Sequence, residues 1–289
     1  MWWIFLLVIS ILPVYYLGNK IYKNDYEKEP KKLLIKLFIF GILSVLVTLG
    51  LTELLTAIFP FFDVDASDGL NIISLMIYVF IGIALIEEFA KWLFAYFGTY
   101  NDVEFNHAYD AIVYCVFVSL GFACIENCLY VLMSDSSIQT AIMRAISAVP
   151  GHASFGIFMG YFIALAKTAE KNNNQKIANK NKMLSLVVPI VLHGIYDYLL
   201  FATVFSSLFL IVFIFFVVWL FKNATAKVNQ LSKVTKNLNG QSIAQENNHQ
   251  ISRGYNFCPI CGDRVRGNFC RVCGHYHKFV NNEVNQQNN

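Results

Sequence analysis

A set of ionisable and polar side chains interrupts the long apolar stretches of this 289-residue chain. A charge at the centre of a membrane-spanning helix costs about 2.5–3.5 kcal/mol on insertion scales, so such residues usually face the protein interior and serve a function. Carboxylates can take a proton from water, and imidazoles can stabilise an oxyanion or protonate a leaving amine. The combination therefore indicates hydrolysis. The set comprises Glu87, Glu88, Lys91, Glu126, Asn127, His152, His193 and Asp197.

Helical spacing brings members of this set together. Glu87 and Lys91 are four residues apart, as are His193 and Asp197, so each pair shares one helix face. A rise of about 1.5 Å per residue places Glu87, His152 and His193 near the middle of their apolar stretches. We therefore expect separate helices to bring two carboxylates and two imidazoles to a similar depth.

The composition identifies the elements that must position these residues. Hydrophobic residues make up 56% of the chain and charged residues 14%, compared with about 25% charged residues in ordinary soluble domains. This composition excludes a typical soluble enzyme and a globally disordered chain. The net charge of +3 is too small to suggest a nucleic-acid partner.

Seven apolar stretches are long enough, or nearly so, to cross a bilayer core of about 30 Å. The sequence therefore predicts an all-α multi-pass membrane protein whose bundle of about seven helices lies in the lipid bilayer. The predicted spans lie near residues 2–17, 33–59, 72–97, 108–133, 142–166, 183–201 and 203–221.

The loop charges predict an orientation. Lysines are concentrated between spans one and two, between spans five and six, and after span seven, whereas the segment between spans two and three has Asp63, Asp65 and Asp68 and no basic residue. Basic short loops stay in the cytoplasm. With seven spans the basic segments all fall on one side, so we expect the N-terminus outside and the C-terminal tail in the cytoplasm. Arg144 is expected to anchor the outer end of span five.

The tail contains a pattern typical of a zinc site. Two Cys-x-x-Cys pairs, each followed by glycine, are formed by Cys258, Cys261, Cys270 and Cys273. Four thiolates at this spacing close a tetrahedral structural zinc site, and the metal would supply folding energy that so small a module lacks. Two disulfides are the alternative, but a cytoplasmic tail lies in a reducing compartment. A closed four-thiolate site favours docking of a protein partner, or of the membrane domain, over catalysis.

These features predict four regions. Few large apolar side chains occur between the last span and the cysteines, so that segment is expected to be a flexible linker. The regions are a membrane domain at residues 1–221, a linker at 222–256, a zinc ribbon at 257–280 and a disordered tail at 281–289.

The intramembrane residues fall into four short motifs that resemble, as an ordered set on separate spans, the motifs of the PrsW family. The match covers most of residues 1–221. The motifs are Glu87-Glu88-x-x-Lys91, Phe122-x-x-x-Glu126-Asn127, Gly151-His152-x-x-Phe155-Gly156 and His193-Gly194-x-x-Asp197.

The resemblance implies a glutamic-type intramembrane protease of the bacterial plasma membrane, similar to the CAAX-protease superfamily. It implies a membrane-anchored protein substrate, such as an anti-sigma factor cleaved on the extracytoplasmic side. Glu87 and Glu88 would be catalytic, one of them as general base, and His152 and His193 would be the oxyanion or acid partners. The same set could instead bind a divalent ion, as a metalloprotease would. The supporting residues would be Lys91, Glu126, Asn127 and Asp197.

Two other function classes use the same intramembrane residues. Glu, His and Asp side chains also build proton relays, so a proton-coupled transporter or channel is one alternative. A non-catalytic membrane sensor or scaffold, whose zinc ribbon recruits a soluble protein, is the other. The transporter predicts ion-dependent flux. The scaffold predicts that Cys258→Ser abolishes function while Glu87→Gln does not, and the protease predicts the opposite pattern at the glutamate pair.

Overall fold

The structure is a computed structural model that describes residues 2–63, 70–133, 137–245 and 258. Its described residues form α-helices and short helical turns, with no strand. The α-helices are α1 (Trp2–Asn24), α2 (Lys31–Ile58), α3 (Ile72–Ile77), α4 (Ile86–Thr99), α5 (Asp110–Met133), α6 (Ser137–Met143), α7 (Val149–Lys171), α8 (Gln175–Phe201) and α9 (Leu208–Gln245). Two π-helical segments, Tyr78–Leu85 and Arg144–Ala148, join α3 to α4 and α6 to α7.

Within the described ranges, seven helical segments are long and apolar enough to cross a membrane. This confirms the predicted fold class. The segments extend further than the apolar runs alone indicated, and the first contains 20 residues rather than a short span. They are Phe5–Asn24, Lys31–Ile58, Ile72–Thr99, Asp110–Met133, Ile138–Lys171, Gln175–Val204 and Leu208–Lys233.

The chain beyond residue 221 differs in part from the flexible linker that the sequence predicted. Helix α9 continues to Gln245. Ala224, Val228 and Leu231 are buried, and the Ser232 hydroxyl donates to the carbonyl oxygen of Asn24 at 2.8 Å. The linker prediction failed for this part of the chain because a narrow stripe of small and apolar residues on α9 packs against the end of α1. Burial of that stripe is enough to continue the helix.

The predicted zinc ribbon lies almost entirely outside the described residues. Residues 246–257 and 259–289, which include Cys261, Cys270 and Cys273, are not described. Cys258 is described and buried. The ribbon therefore remains a prediction from sequence.

Helices α5 and α7 form the centre of the bundle. Their spans are 67% and 83% buried, whereas the span in α9 is 17% buried and presents apolar side chains outward, as a lipid-facing helix would. A side chain at Gly160 would collide with the carbonyl oxygen of Ala111, and one at Gly156 with the Ser119 hydroxyl. Gly156 and Gly160 therefore permit the close packing of α7 against α5.

Hydrogen bonds join the connecting segments at one end of the bundle. The Tyr114 hydroxyl donates to Glu29 Oε2 at 2.8 Å, and the Tyr100 hydroxyl donates to Glu170 Oε2 at 2.7 Å. The Lys167 ammonium also donates to the carbonyl oxygen of Tyr100. The α1–α2, α4–α5 and α7–α8 connections thus lie together, as an up-and-down path through seven spans requires.

Candidate active site

Four helices meet inside the bundle and bring together the polar residues that the sequence singled out. Seven of the eight are buried, and Glu126 is partly exposed. The first turn of α4 supplies Glu87 and Glu88. The complete set is Glu87, Glu88 and Lys91 on α4, Glu126 and Asn127 on α5, His152 on α7, and His193 and Asp197 on α8.

The ammonium group of Lys91 lies at the centre of the set and is fully buried. Its Nζ atom is 2.8 Å from Glu88 Oε1, 3.3 Å from Glu87 Oε2 and 3.0 Å from His152 Nδ1. It also lies 4.0 Å from the centre of the Phe122 ring, a cation–π distance. A buried ammonium requires such partners, so Lys91 fixes the relative positions of the two carboxylates and one imidazole.

His152 connects Lys91 to a second ion pair. Its Nε2 atom lies 2.7 Å from Glu126 Oε2, and the same oxygen lies 2.7 Å from Nη2 of Arg144. Nε of Arg144 donates to Asn127 Oδ1 at 2.8 Å, and the guanidinium lies 3.9 Å from the Tyr130 ring centre. Arg144 therefore completes the network at Glu126 and Asn127.

His193 lies between carboxylates. Its Nδ1 atom is 3.0 Å from Glu88 Oε1, and its Nε2 atom is 3.3 Å from Asp197 Oδ2 and 4.0 Å from Glu87 Oε2. The Phe155 ring stacks on the imidazole, with ring centres 4.8 Å apart and an angle of 19°. Both the plane and the in-plane rotation of this imidazole are thus fixed.

The partners of the two imidazoles indicate different proton arrangements. His152 faces an ammonium donor at Nδ1 and a carboxylate acceptor at Nε2, which suits the neutral ring with its proton on Nε2. His193 faces carboxylate oxygens at both nitrogens, and only the doubly protonated ring can donate to both. The site therefore holds one imidazole suited to accepting and one suited to donating.

A cavity of about 150 Å³ opens beside these residues. Glu87, Glu126, His152, His193 and Asp197 line it, together with apolar side chains, whereas Glu88 and Lys91 do not. The side chain of Glu87 is 11% exposed and that of Glu88 is 0% exposed. The two adjacent glutamates thus differ in access to a substrate or a water molecule.

Both π-helical segments precede site residues. Tyr78–Leu85 ends two residues before Glu87, and Arg144–Ala148 ends four residues before His152. A π-helical turn changes the face that a helix presents after it, and such turns occur frequently at functional sites. These segments set the rotation of α4 and α7, and nothing in the apolar pattern predicted them.

Sequence reasoning underestimated two residues. Arg144 was expected to anchor a helix end, but it contacts Glu126 and lines the cavity. Phe155 lies within the third motif, and its ring supports His193. Arg144 lies two helical turns before His152 in the same predicted span, and that spacing could have indicated a shared face.

Three of these side chains have the types and positions that a metal ion requires. One donor atom each from Glu87, His152 and His193 lies within 4.8 Å of the others. Two imidazoles and one carboxylate are a common donor set of catalytic zinc sites, and Glu126, Glu88 and Asp197 would serve as outer hydrogen-bond partners. The residues present therefore fit a divalent ion, whose binding would release a proton from His193.

Comparison with known proteins gives the family. The profile described as "PrsW family intramembrane metalloprotease" matches residues 29–221. No solved structure matches.

Three bacterial relatives, each named Protease PrsW, illustrate the similarity. The chain is 40% identical to the protein of Oceanobacillus iheyensis over 195 residues, which cover 68% of this chain and 82% of the relative. It is 37% identical to the protein of Geobacillus kaustophilus over 194 residues, covering 67% and 76%. Identity to the protein of Bacillus subtilis is 30% over 211 residues, covering 73% and 87%. The chain therefore belongs to the PrsW family and is a peptidase embedded in the membrane.

Proposed function

We propose that this peptidase hydrolyses a membrane-anchored protein and that Glu87 is the general base. The observation that carries the assignment is the position of Glu87 on the cavity, beside His152 and His193. Glu88 is buried behind it and is occupied by Lys91 and His193. Only the first glutamate can reach a water molecule in the cavity.

The proposed reaction is the addition of water to a peptide carbonyl. Glu87 takes a proton from water as the water oxygen bonds to the carbonyl carbon, and an N–H of His193 donates to the oxygen that becomes negative. The carbon–nitrogen bond then breaks, and the proton held by Glu87 passes to the leaving nitrogen. His152, which lines the same cavity, accepts from Lys91 and donates to Glu126, so we assign it a positioning role.

The remaining polar residues position these groups. Lys91 and Glu88 hold Glu87, His152 and His193 through direct contacts, and Asp197 orients His193 from the next turn of α8. Glu126 fixes the proton of His152 on Nε2. We assign them supporting roles.

The family description includes a metal, and we propose a conditional role for it. If an ion is bound, Glu87, His152 and His193 hold it, since their donor atoms lie together. A divalent ion there would act as a Lewis acid and would lower the pKa of a bound water. The two routes differ in their response to chelators.

The shape of the cavity favours a substrate that enters from the outer side. Its lining includes Met143 and Arg144 near the start of span five, Phe201 near the end of α8 and Phe213 near the start of α9. Those helix ends lie at the end of the bundle opposite the lysine-rich α1–α2 and α7–α8 connections. If the N-terminus lies outside and the tail in the cytoplasm, as the loop charges predict, the cavity extends toward the extracytoplasmic face. A single-pass regulator, such as an anti-sigma-factor-like protein, would fit this access.

We further propose that Cys258, Cys261, Cys270 and Cys273 bind one structural zinc ion in the cytoplasm and that the ribbon docks a protein partner. The support is the spacing of the two cysteine pairs. Metal analysis of full-length protein should give one zinc per chain beyond any ion at the membrane site. That zinc should be lost in Cys258→Ser/Cys270→Ser protein, and equal zinc in both proteins would contradict the ribbon.

The central test is cleavage of single-pass reporter proteins by the purified full-length enzyme. Replacing a general base should lower the rate by about 10²–10⁴-fold, so Glu87→Gln should be nearly inactive. The matched control is Glu53→Gln, at an exposed position on α2. If Glu87→Gln cleaves as fast as the control, the assignment is wrong.

A chelator experiment separates the two chemical routes. Protein with Cys258→Ser/Cys270→Ser lacks the predicted ribbon site, so any remaining metal dependence must arise elsewhere. Loss of cleavage after chelation, with recovery on adding zinc, would support the metal route. Unchanged cleavage in metal-free protein would support Glu87 acting on free water. Ion flux through the wild-type protein that is lost in Glu87→Gln, with no cleavage of any reporter, would instead favour a transporter.

A further inference from the structure

A second cluster of carboxylates lies at the end of the bundle that carries the basic connections. Asp25 and Glu29 lie in the α1–α2 connection, and Asp110 begins α5. One oxygen from each lies within 4.8 Å of the others. The residues are 3%, 5% and 0% exposed, respectively, so the cluster is buried although it lies near a bundle end.

Several oxygens of this cluster have no hydrogen-bond partner. Both carboxylate oxygens of Asp25 and Oδ1 of Asp110 are buried and unpaired. The other oxygen of Asp110 accepts from the backbone N–H groups of Asn106 and His107, and Glu29 Oε2 accepts from the Tyr114 hydroxyl. A buried carboxylate oxygen without a partner destabilises the folded state. A bound cation or a proton would compensate for this loss.

The cations nearest the cluster are directed elsewhere. The Lys28 ammonium has three donors, and it donates to the carbonyl oxygens of Tyr22, Lys23 and Asp25. His107 Nδ1 lies 3.4 Å from Glu27 Oε2. Among the described residues, no ion pair includes any of the three carboxylates. Lys28 and His107 therefore act on Asp25 only at longer range.

Burial also affects the protonation of the two acids outside the helical spans. It raises the pKa of Asp25 to about 6 and that of Glu29 to about 7, with the neighbouring carboxylates adding to the effect on Glu29. The titratable and charged groups around them are Lys28, Glu104, His107, Asp110 and Tyr114.

We propose that Asp25, Glu29 and Asp110 bind a hard divalent cation of the Mg²⁺ or Mn²⁺ type, with one oxygen from each carboxylate as ligand. An all-oxygen donor set favours such ions over zinc, and Mg²⁺ keeps water molecules in its remaining positions. The ion joins the α1–α2 connection to the start of α5. This site is separate from Glu87, His152 and His193, and the proposal does not depend on the proposed function.

The test uses Mn²⁺ as the probe, because bound and free Mn²⁺ differ in their electron paramagnetic resonance signals. Full-length wild-type protein, Asp25→Asn and Glu27→Gln are titrated in lipid nanodiscs. Asp25→Asn removes a carboxylate that makes no hydrogen bond, so it should fold, and its cleavage activity reports whether it does. Glu27→Gln removes a neighbouring acid that is 59% exposed and is the matched control.

We expect Asp25→Asn to bind one Mn²⁺ fewer per chain than the wild type and Glu27→Gln to bind the same number. Mg²⁺ should displace the ion. A hundredfold excess of Mg²⁺ over Kd should raise the Tm of the wild type and the control by roughly 5 °C or more, but not that of Asp25→Asn. An ion bound by Glu87, His152 and His193 would be present in all three proteins, so it does not contribute to the differences between them.

Two outcomes would overturn the proposal. Equal Mn²⁺ binding by the wild type and Asp25→Asn would place the ion elsewhere. A higher Tm for Asp25→Asn together with no Mg²⁺ effect on the wild type would make the cluster a group of acids that share protons.

Discussion

The Oε1 atom of Glu88 lies 3.0 Å from Nδ1 of His193, so a carboxylate outside the cavity holds an imidazole that lines it. The same oxygen accepts from Lys91. The two adjacent glutamates therefore have different roles. Glu87 faces the space where a substrate would lie, and Glu88 fixes the groups around that space.

We predict that Glu88→Gln weakens both folding and cleavage, whereas Glu87→Gln affects mainly cleavage. The neutral amide leaves the buried Lys91 ammonium without its shortest ion pair, and breaking such a pair costs about 3–5 kcal/mol. Thermal unfolding in detergent and reporter cleavage measure the two effects. A Glu88→Gln protein as stable as Glu87→Gln would contradict this division.

Substitution of Arg144 should slow cleavage although the residue lies outside the four motifs. Arg144→Gln removes the ion pair with Glu126 and the hydrogen bond to Asn127 Oδ1, and a hydrogen bond to a charged group is worth about 1.5–3 kcal/mol. The corresponding loss in kcat/KM is about tenfold to a hundredfold. The control is Lys176→Gln, an exposed charge removed from α8.

A positioning role for Arg144 has a second consequence. Arg144→Lys retains the charge near Glu126 but loses the planar contacts with Asn127 and Tyr130. It should recover part of the activity and should change the pH dependence of kcat/KM relative to the wild type. Equal activity of Arg144→Gln and Lys176→Gln would remove Arg144 from the site.

The close crossing of α5 and α7 can be tested with a pair of glycine variants. Gly160→Ala places a methyl group against the backbone of Ala111 and Ile112, so it should lower the Tm and move His152 on the same helix. Gly50→Ala meets nothing within 4 Å and gains helix propensity. We expect its Tm to be unchanged or higher, and a similar fall in both variants would contradict the packing.

The acids near the α1–α2 connection predict a pH dependence of folding. Their pKa values rise from 3.8 to about 6 for Asp25 and from 4.5 to about 7 for Glu29, so the folded state holds more protons than the unfolded state between about pH 4 and pH 7. The free energy of unfolding of metal-free protein should therefore fall as the pH rises through this range. The fall should be smaller in Asp25→Asn, as measured by denaturant unfolding in chelator. Identical slopes would show that Asp25 titrates normally.

The sequence predicted the helical class, and the polar residues that it singled out lie together in the structure. Apolar length is a direct physical requirement of a membrane span, and buried charges inside it are rare enough to be informative. The contacts around Lys91 could not be predicted from sequence in full. Helix spacing relates Glu87 to Lys91 but says nothing about the distance from Lys91 to His152 on another helix. That distance depends on how α4 and α7 rotate and cross.

The end of the membrane domain was harder to predict from sequence. Residues after 221 are polar and resemble a linker in composition, yet Val228 and Leu231 are buried in a continuing helix. Burial of such a stripe depends on a neighbour far away in the chain, here the end of α1. The composition of the residues after 221 therefore does not indicate that the end of α1 lies beside them.

The geometry of the site depends on the number of residues in the two π-helical segments. In an α-helix one residue corresponds to a rotation of about 100°. Deleting a single residue within Tyr78–Leu85, or inserting one, would therefore turn Glu87 away from His193 while leaving every motif residue intact. The same holds for Arg144–Ala148 and His152. In related chains, the number of residues in these two segments should tolerate less change than their identities.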